Sequence, residues 1–415
     1  MKDNEGQGNG YILYVGGYLD EAVVDERKLP TRNPAGSNRM SRIGSAFCAA
    51  GKETIILSPA ISMRTGFSPK LIFPQRVTRT NRVSVIFSRA FSVPVLGALS
   101  SFIFVPLLLL NICSRRNIEA LVIYNFSPLL LLVALIGRYV LKLPVLHNVE
   151  DVSEPRVSDW KSNSDARPLQ QLVFYFCMSW INRVASGAIC PTSRFTPYLR
   201  DGIPVEVVTG CIDAQLDAGE FESSSARKGV CILFAGKIEN EHGIDIFVGA
   251  LKILAQGGLL GGDVRIDICG GGKHSEWAES AAEELVGLGV HFHGFVSDST
   301  YRQLLNRANI CVALQQPQGR YGSFKTPSKV YEYLGNGKTV IATDVGDLAD
   351  LPGDVIHICR TPDAQVLADV LKSYIQAPDL VDKQCIAARG FSLKHFSLEK
   401  VGARLVGFMN LYARS

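Results

Sequence analysis

Short apolar, β-branched runs alternate with helix-length segments twice along this 415-residue chain, before and after a polar, serine-containing stretch. Strands joined by helices in alternation give parallel sheets covered on both faces. A chain of this length exceeds one ordinary core. The pattern therefore predicts two successive doubly wound, Rossmann-like α/β domains facing a central cleft. In such folds ligands bind outside the carboxyl ends of the strands.

The first half predicts strands at Tyr11–Val15, Thr54–Leu57, Val83–Phe87, Ala120–Tyr124, Val145–His147, Ala185–Ile189 and Val205–Val208. A polar loop follows the first of them to about Ala35. Gly36-Ser37-Asn38 then opens a helix with an apolar stripe at Met40, Ile43, Phe47 and Ala50. The second half predicts strands at Val230–Ala235, Arg265–Cys269, Val290–His293, Ile310–Leu314 and Val355–Ile358, with helices between them. The expected division is an N-terminal domain over residues 1–211, a linker over 212–229 and a C-terminal domain over 230–390. Residues 391–415 are then a last helix that crosses back to the N-terminal domain.

A net charge of +4 makes no demand for a nucleic-acid partner, and none is expected. The distribution says more: from Arg64 to Lys142 there are ten Lys/Arg against one acid, Glu119. That segment also holds the two greasiest runs. Phe91–Cys113 carries Pro94 and Pro106; Leu121–Leu146 is broken by Asn125, Pro128, Arg138 and Lys142 and reads as strand, loop, helix, strand. A membrane span needs roughly 20 apolar residues with few charges. A basic, greasy face lying on a membrane surface is the expectation. The ten cysteines are scattered without a CxxC pair and read as free thiols of a reducing compartment. The polar start, MKDNEGQGNG, has no apolar signal core. The expected location is the cytoplasm, peripheral on the inner face of the membrane.

The stretch Pro327–Thr343, PSKVYEYLGNGKTVIAT, carries the chemistry. Thr326 is a favoured N-cap and Pro327 a favoured first helical residue, which makes Lys329 the third. The helix dipole disfavours a cation there. The placement makes sense if an anion is held by the free N–H groups and the lysine together. Glu332 lies one turn on along the same face and suits two ribose hydroxyls. Gly335 and Gly337 turn the chain into the next strand. Two more strand ends carry glycine loops. Gly236-Lys237, with His242 and Gly243 before the following helix, can close over phosphates. Gly270-Gly271-Gly272 can pass beside a base or ribose. Glu150 and Asp151 end the strand that reads LPVLHNVED and can position or deprotonate a hydroxyl. There is no D-x-D triplet for a metal-bound diphosphate, no GxxxxGK[ST] loop and no G-x-S-x-G elbow. His291 and His293 share a strand face with no third metal ligand nearby.

Four stretches, LFAGKIENEHGIDIFVGAL, IDICGGG, VHFHGFVSDSTYRQLLNRANICVAL and PSKVYEYLGNGKTVIATDVG, resemble the C-terminal domain of glycosyltransferase family four. Its members are retaining, glycogen-synthase-like enzymes of the GT-B fold. The first half is similar only in layout, through the glycine-opened helix, LPVLHNVED and GAICPTSRFTPYLR. The resemblance implies that Lys237 and Lys329 hold a donor diphosphate, with Gly236, His242 and Gly271 around the donor, and that Glu332 holds the ribose. Glu150 and Asp151 are then the catalytic candidates, and Asn38 lines the acceptor side with the polar loop at 18–35. The sequence departs from the family at four places: Lys237 stands where arginine is usual, His242 where lysine is, Phe324 where a first, sugar-holding glutamate is, and Glu150 where a histidine is.

The implied activity is retaining, metal-independent transfer of a hexose-like sugar from a UDP- or GDP-sugar, without a cofactor. The acceptor is a hydroxyl on a glycan or lipid-linked oligosaccharide. Two other readings fit the same residues: a non-catalytic GT-B scaffold of a polysaccharide assembly complex, and a sugar-nucleotide 2-epimerase.

Overall fold

The computed structural model describes residues 10–29, 34–60, 70–80, 82–151, 168–214, 229–316, 324, 327–361 and 363–412. The chain divides into two compact units. The first comprises Met1–Pro191, Phe195–Cys211 and Leu398–Ser415; the second comprises Thr192–Arg194 and Ile212–Ser397.

The first unit holds β1 (Tyr11–Val15), β2 (Glu53–Ser58), β3 (Ile72–Phe73), β4 (Arg76–Thr80), β5 (Val83–Phe87), β6 (Ala90–Phe91), β7 (Ile118–Tyr124), β8 (Val145–Asn148), β9 (Gly187–Cys190) and β10 (Val205–Val207). Eight of these form one sheet in the order β10-β9-β8-β7-β1-β2-β5-β4; β3 and β6 pair separately. The sheet is parallel except for β4, which runs antiparallel to β5. Its helices are α1 (Glu21–Arg27), α2 (Pro34–Ala49), α3 (Pro94–Arg115), α4 (Pro128–Leu135), which runs into a π turn at Ile136–Val140, and α5 (Pro168–Val184).

Each face of this sheet has its own core, as alternating inward residues require. Met40, Ile43 and Phe47 of α2 pack on one face with Val401 and Leu405 of the last helix, Leu398–Tyr412. That helix lies close on α2: a Cβ at Gly402 would come within 2.0 Å of the Ala46 carbonyl oxygen. Val105 and Leu109 of α3, Val133 of α4 and Ile181 of α5 fill the other face.

Several sequence expectations are corrected. The segment read as a polar loop contains α1, because Asp20 caps it by accepting from the Val23 N–H at 2.7 Å. The helix buries Arg27, whose guanidinium donates to the Pro59, Ala60 and Ser88 carbonyls at 2.9–3.1 Å. Residues 30–33 of that loop lie outside the described residues. Helix α2 begins at Pro34, two residues before Gly36. Strand β4, RVTRT, was not expected: it is an edge strand with polar, half-exposed residues and so lacks an apolar run. The two prolines of the Phe91–Cys113 run do not break a helix. Pro94 opens α3, where its missing N–H costs nothing, and Pro106 sits inside it.

The second unit holds β11 (Val230–Lys237), β12 (Val264–Gly271), β13 (Val290–Phe292), β14 (Ile310–Ala313), β15 (Thr339–Thr343) and β16 (His357–Cys359). Their order is β13-β12-β11-β14-β15-β16, all parallel. The strand order reverses between β11 and β14, the switch point at which doubly wound folds bind ligands. Its helices are α6 (Ile244–Gln256), α7 (Ser275–Glu283), α8 (Asp298–Arg307), α9 (Ser328–Gly335), α10 (Ala364–Gln376) and α11 (Pro378–Phe396); the last helix, of the first unit, is α12. Phe247 and Leu251 of α6 and Leu371 of α10 pack on one face, Leu304 of α8 and Tyr333 of α9 on the other. Most of the stretch read as a linker, 215–228, lies outside the described residues.

Candidate functional site

In the second unit, the carboxyl ends of β11 and β12 are pressed together. Gly236 pairs with Gly270 and Lys237 with Gly271. A Cβ on Gly270 would stand 1.7 Å from the Gly236 carbonyl oxygen, and one on Gly272 would stand 2.5 Å from that of Ile238. Gly236 and Gly270 also have positive φ, at 155° and 139°. Backbone crowding therefore explains two glycines of the triplet. Gly271 is different: a Cβ there meets only Phe295, at 3.8 Å.

Helix α9 begins at Ser328 with Pro327 as its N-cap, so Lys329 is the second helical residue rather than the third. Proline fixes φ alone, and Pro327 takes an extended ψ of 104°, which keeps it outside the helix. Thr326 lies outside the described residues. The Lys329 ammonium lies 5.3 Å over the Tyr301 ring and 3.8 Å from where a Cβ on Gly236 would be. Among the described residues it has no hydrogen bond or ion pair. Burial lowers its pKa, against a weaker pull upward from Cys269, Glu332 and Cys311. Glu332, one turn along, accepts from the Tyr301 hydroxyl at 3.2 Å. Tyr301 thus touches both, and burial raises its own pKa well above the usual phenol range. In the sequence it reads as one more residue of an amphipathic helix.

The remaining donor candidates occupy the same strand ends. Lys237 is exposed at the tip of β11. His242 closes a 3-10 turn, Asn240–His242, in the loop before α6. That loop is tied to the chain beyond β14 by the Gln316 N–H, which donates to the Glu241 carbonyl at 2.8 Å. Phe324 is half-buried. Gly337 has φ of 63°, as a turn out of α9 needs, whereas Gly335 is still helical and packs on Ile212, 3.0 Å from an added Cβ. The lysine of Gly-Asn-Gly-Lys serves the fold: Lys338 is buried and donates to the Asn306 and Ala308 carbonyls at the end of α8, at 3.0 and 2.8 Å. His293 Nε2 lies 2.7 Å from the carboxylate of buried Asp267, which also binds Arg265 and Arg307.

In the first unit, Glu150 and Asp151 follow β8, and Asn125 organises them. Asn125 is left-handed, with φ of 59°, which asparagine tolerates. Its side-chain oxygen accepts from the Glu150 and Asp151 N–H groups at 2.8 and 3.1 Å, and its amide donates to the exposed Asp151 carboxylate at 2.8 Å. In the sequence this turn shows only as Asn-Phe-Ser-Pro after a strand, a break in an apolar run. Glu150 is not a free carboxylate: it accepts from Arg39 Nε at 2.8 Å and Asn148 Nδ2 at 2.7 Å. Burial would lower the Arg39 pKa, but Glu150 outweighs it and the net shift is upward. Asn38, beside Arg39 on α2, is exposed.

His147 is the buried histidine of this strand. Its ring pairs with the Asn182 side chain at 2.6 Å and the Asn125 carbonyl at 3.0 Å. Burial lowers its pKa from 6.5 to about 4, despite those two bonds. A depressed histidine pKa means that the unfolded chain takes up the proton first. Stability from this group is therefore full above 6.5 and is lost as pH falls towards 4. We expect the parent to lose about 2 kcal/mol more than His147→Gln between pH 7 and pH 5, measured by urea unfolding.

Residues 229–377 match the family model of glycosyl transferases group 1. No curated protein sequence matches the chain. Solved structures of similar fold include a sucrose-phosphate synthase from Thermosynechococcus elongatus, at TM-score 0.66 and 14% identity over 98% of this chain and 100% of that one. Another is Anabaena HepE in complex with UDP and glucose, at TM-score 0.60 and 15% identity over 96% and 99%. A third is WaaG, a glycosyltransferase involved in lipopolysaccharide biosynthesis, at TM-score 0.56 and 12% identity over 95% and 100%.

Proposed function

For a chain that has the GT-B fold and carries a glycosyl transferases group 1 domain over residues 229–377, we propose retaining, metal-independent transfer of a hexose-type sugar from a UDP- or GDP-sugar. The acceptor is a hydroxyl of a glycan or lipid-linked oligosaccharide, met at the cytoplasmic membrane surface. The observation that carries this reading is the Lys329–Tyr301–Glu332 group beside the Gly236 backbone. It offers a desolvated cation at a helix N-terminus and a carboxylate one turn away, which suits a diphosphate and a ribose.

In transfer, the bond from the anomeric carbon to the diphosphate breaks and a bond to the acceptor oxygen forms. Negative charge grows on the departing phosphate, where fixed positive charge helps most. Lys329 and the α9 N–H groups supply it, with Lys237 and Gly271 at the paired strand tips and His242 in the loop before α6. On the acceptor side, Asp151 is the exposed carboxylate and receives or orients the hydroxyl proton; Glu150, held by Arg39, orients the turn. Asn38 borders that side. The absence of a D-x-D triplet from the sequence supports a reaction without a bound metal.

Phe324 in place of a sugar-holding acid favours one rival reading, a non-catalytic scaffold. A hydrolysis and transfer assay over UDP- and GDP-sugars, with and without EDTA, separates the two. Release of nucleoside diphosphate from at least one donor, unchanged by EDTA, is expected. No release from any donor would leave the scaffold.

A further inference from the structure

Helices α3, α4 and α5 lie side by side on one face of the first unit, with α4 packed against both neighbours. Their inner sides form the core already described. Their outer sides are also apolar. On α3, Leu96, Leu99, Ile103 and Leu107 are 52–60% exposed. On α5, Leu172, Phe176 and Trp180 are 39–53% exposed, and Leu169 is 73% exposed. Spacings of three and four residues make each set a continuous helical stripe. Tyr139 and Val140, at the end of the π turn after α4, add 68% and 66% exposed side chains between them. Stripes of this extent exceed the scattered apolar residues of an ordinary surface.

We infer that this three-helix face docks on the surface of an anionic lipid bilayer, without crossing it. Charge points to the partner. The described helices α3, α4 with its π turn, and α5 contain no acid, and their only charges are Arg115, Arg138 and Arg183. Each stands in the last turns of its helix, and Arg116 and Lys142 follow close behind. Helices that return from parallel strands run in one direction, so these cations share one rim of the face. An apolar centre with a cationic rim matches acyl chains beneath anionic headgroups. The Arg183 guanidinium, 5.4 Å over the Trp180 ring, has the arrangement of a cation that reaches out of an apolar layer beside an interfacial aromatic.

The same packing excludes a span. Helix α3 is long and apolar enough to cross a bilayer by length and composition. Yet Val105 and Leu109 are fully buried against the sheet, and the helix cannot leave that core to stand in lipid. The stripes weigh towards the amino-terminal ends of α3 and α5, the edge at which the parallel strands end and Asp151 sits. Only the link from this face to a lipid-linked acceptor rests on the transferase reading; the docking itself does not.

The test is flotation of the full chain with phosphatidylcholine vesicles, with and without phosphatidylglycerol. The parent should float with the anionic vesicles and far less with the neutral ones. Leu99→Ser with Ile103→Ser, and separately Leu172→Ser with Phe176→Ser, should weaken that binding at least about tenfold at an unchanged melting temperature. In a chain with Trp160→Phe and Trp277→Phe, Trp180 emission should shift to the blue on binding and be quenched by brominated phosphatidylcholine. The inference fails if the parent does not float, or if both serine pairs float as the parent does. It also fails if the parent forms a dimer that the serine pairs dissociate while vesicles go unbound; the face would then join two copies. Titration of UDP into the same variants reads the donor site independently, so either reading can fail alone.

Discussion

Lys329→Met is expected to lose donor turnover by at least about a hundredfold while melting no lower than the parent without ligand. The two halves of this result have one cause. Burial depresses the Lys329 pKa, so the free protein spends stability to keep the ammonium charged. Removing the charge relieves that cost, and the methionine stem preserves packing over Tyr301. With a diphosphate bound the balance reverses, because a desolvated anion left beside an uncharged side chain loses its strongest partner. Steady-state turnover and thermal unfolding on the same preparation check both halves. A residue with only a structural role would give the opposite pattern, with lower melting and turnover reduced in proportion to the unfolded fraction.

The second large effect concerns the fold beneath the site. Gly270→Ala should destabilise the chain by more than about 3 kcal/mol, whereas Gly271→Ala should stay within about 1 kcal/mol of the parent. Alanine at 270 would set its Cβ 1.7 Å from the Gly236 carbonyl oxygen, on a backbone with φ of 139°. Relief would need β11 and β12 to part just where Lys237 and Gly271 pair. At 271 the added carbon meets only the Phe295 side chain, at contact distance. Urea midpoints of the two variants check the contrast between neighbouring glycines.

That contrast shows how far the sequence could be read. The parallel α/β rhythm was legible because buried strands such as Tyr11–Val15 and Ile310–Ala313 are continuous apolar runs that stand out from helix-length segments. Elements that bury charge or expose polar residues were not. Helix α1 hides Arg27, whose terminal guanidinium nitrogens donate to the Pro59, Ala60 and Ser88 carbonyls, and β4 lies half-exposed at the sheet edge. At the candidate site, the placement of Lys329 and Glu332 one turn apart on a helix was legible from their spacing. Tyr301 was not, because its contacts to both come from a helix about thirty residues away in the chain. The glycine triplet reads as a ligand loop, but the sequence cannot separate the glycines that face backbone from the one that faces a side chain at contact distance. Asn125 reads in the sequence only as a break in an apolar run, because its left-handed turn becomes visible only once β7 and β8 are paired. All ten cysteines are free thiols as expected, and burial raises the Cys190 and Cys231 pKa values to about 12.

The central claim, that Lys329 and Glu332 grip the diphosphate and ribose of a sugar nucleotide, is tested most directly by calorimetric titration of UDP and GDP into the parent and into Lys329→Ala. Binding of at least one of the two by the parent, and its loss from the variant, is the expected result. Equal binding of both nucleotides by parent and variant would contradict it.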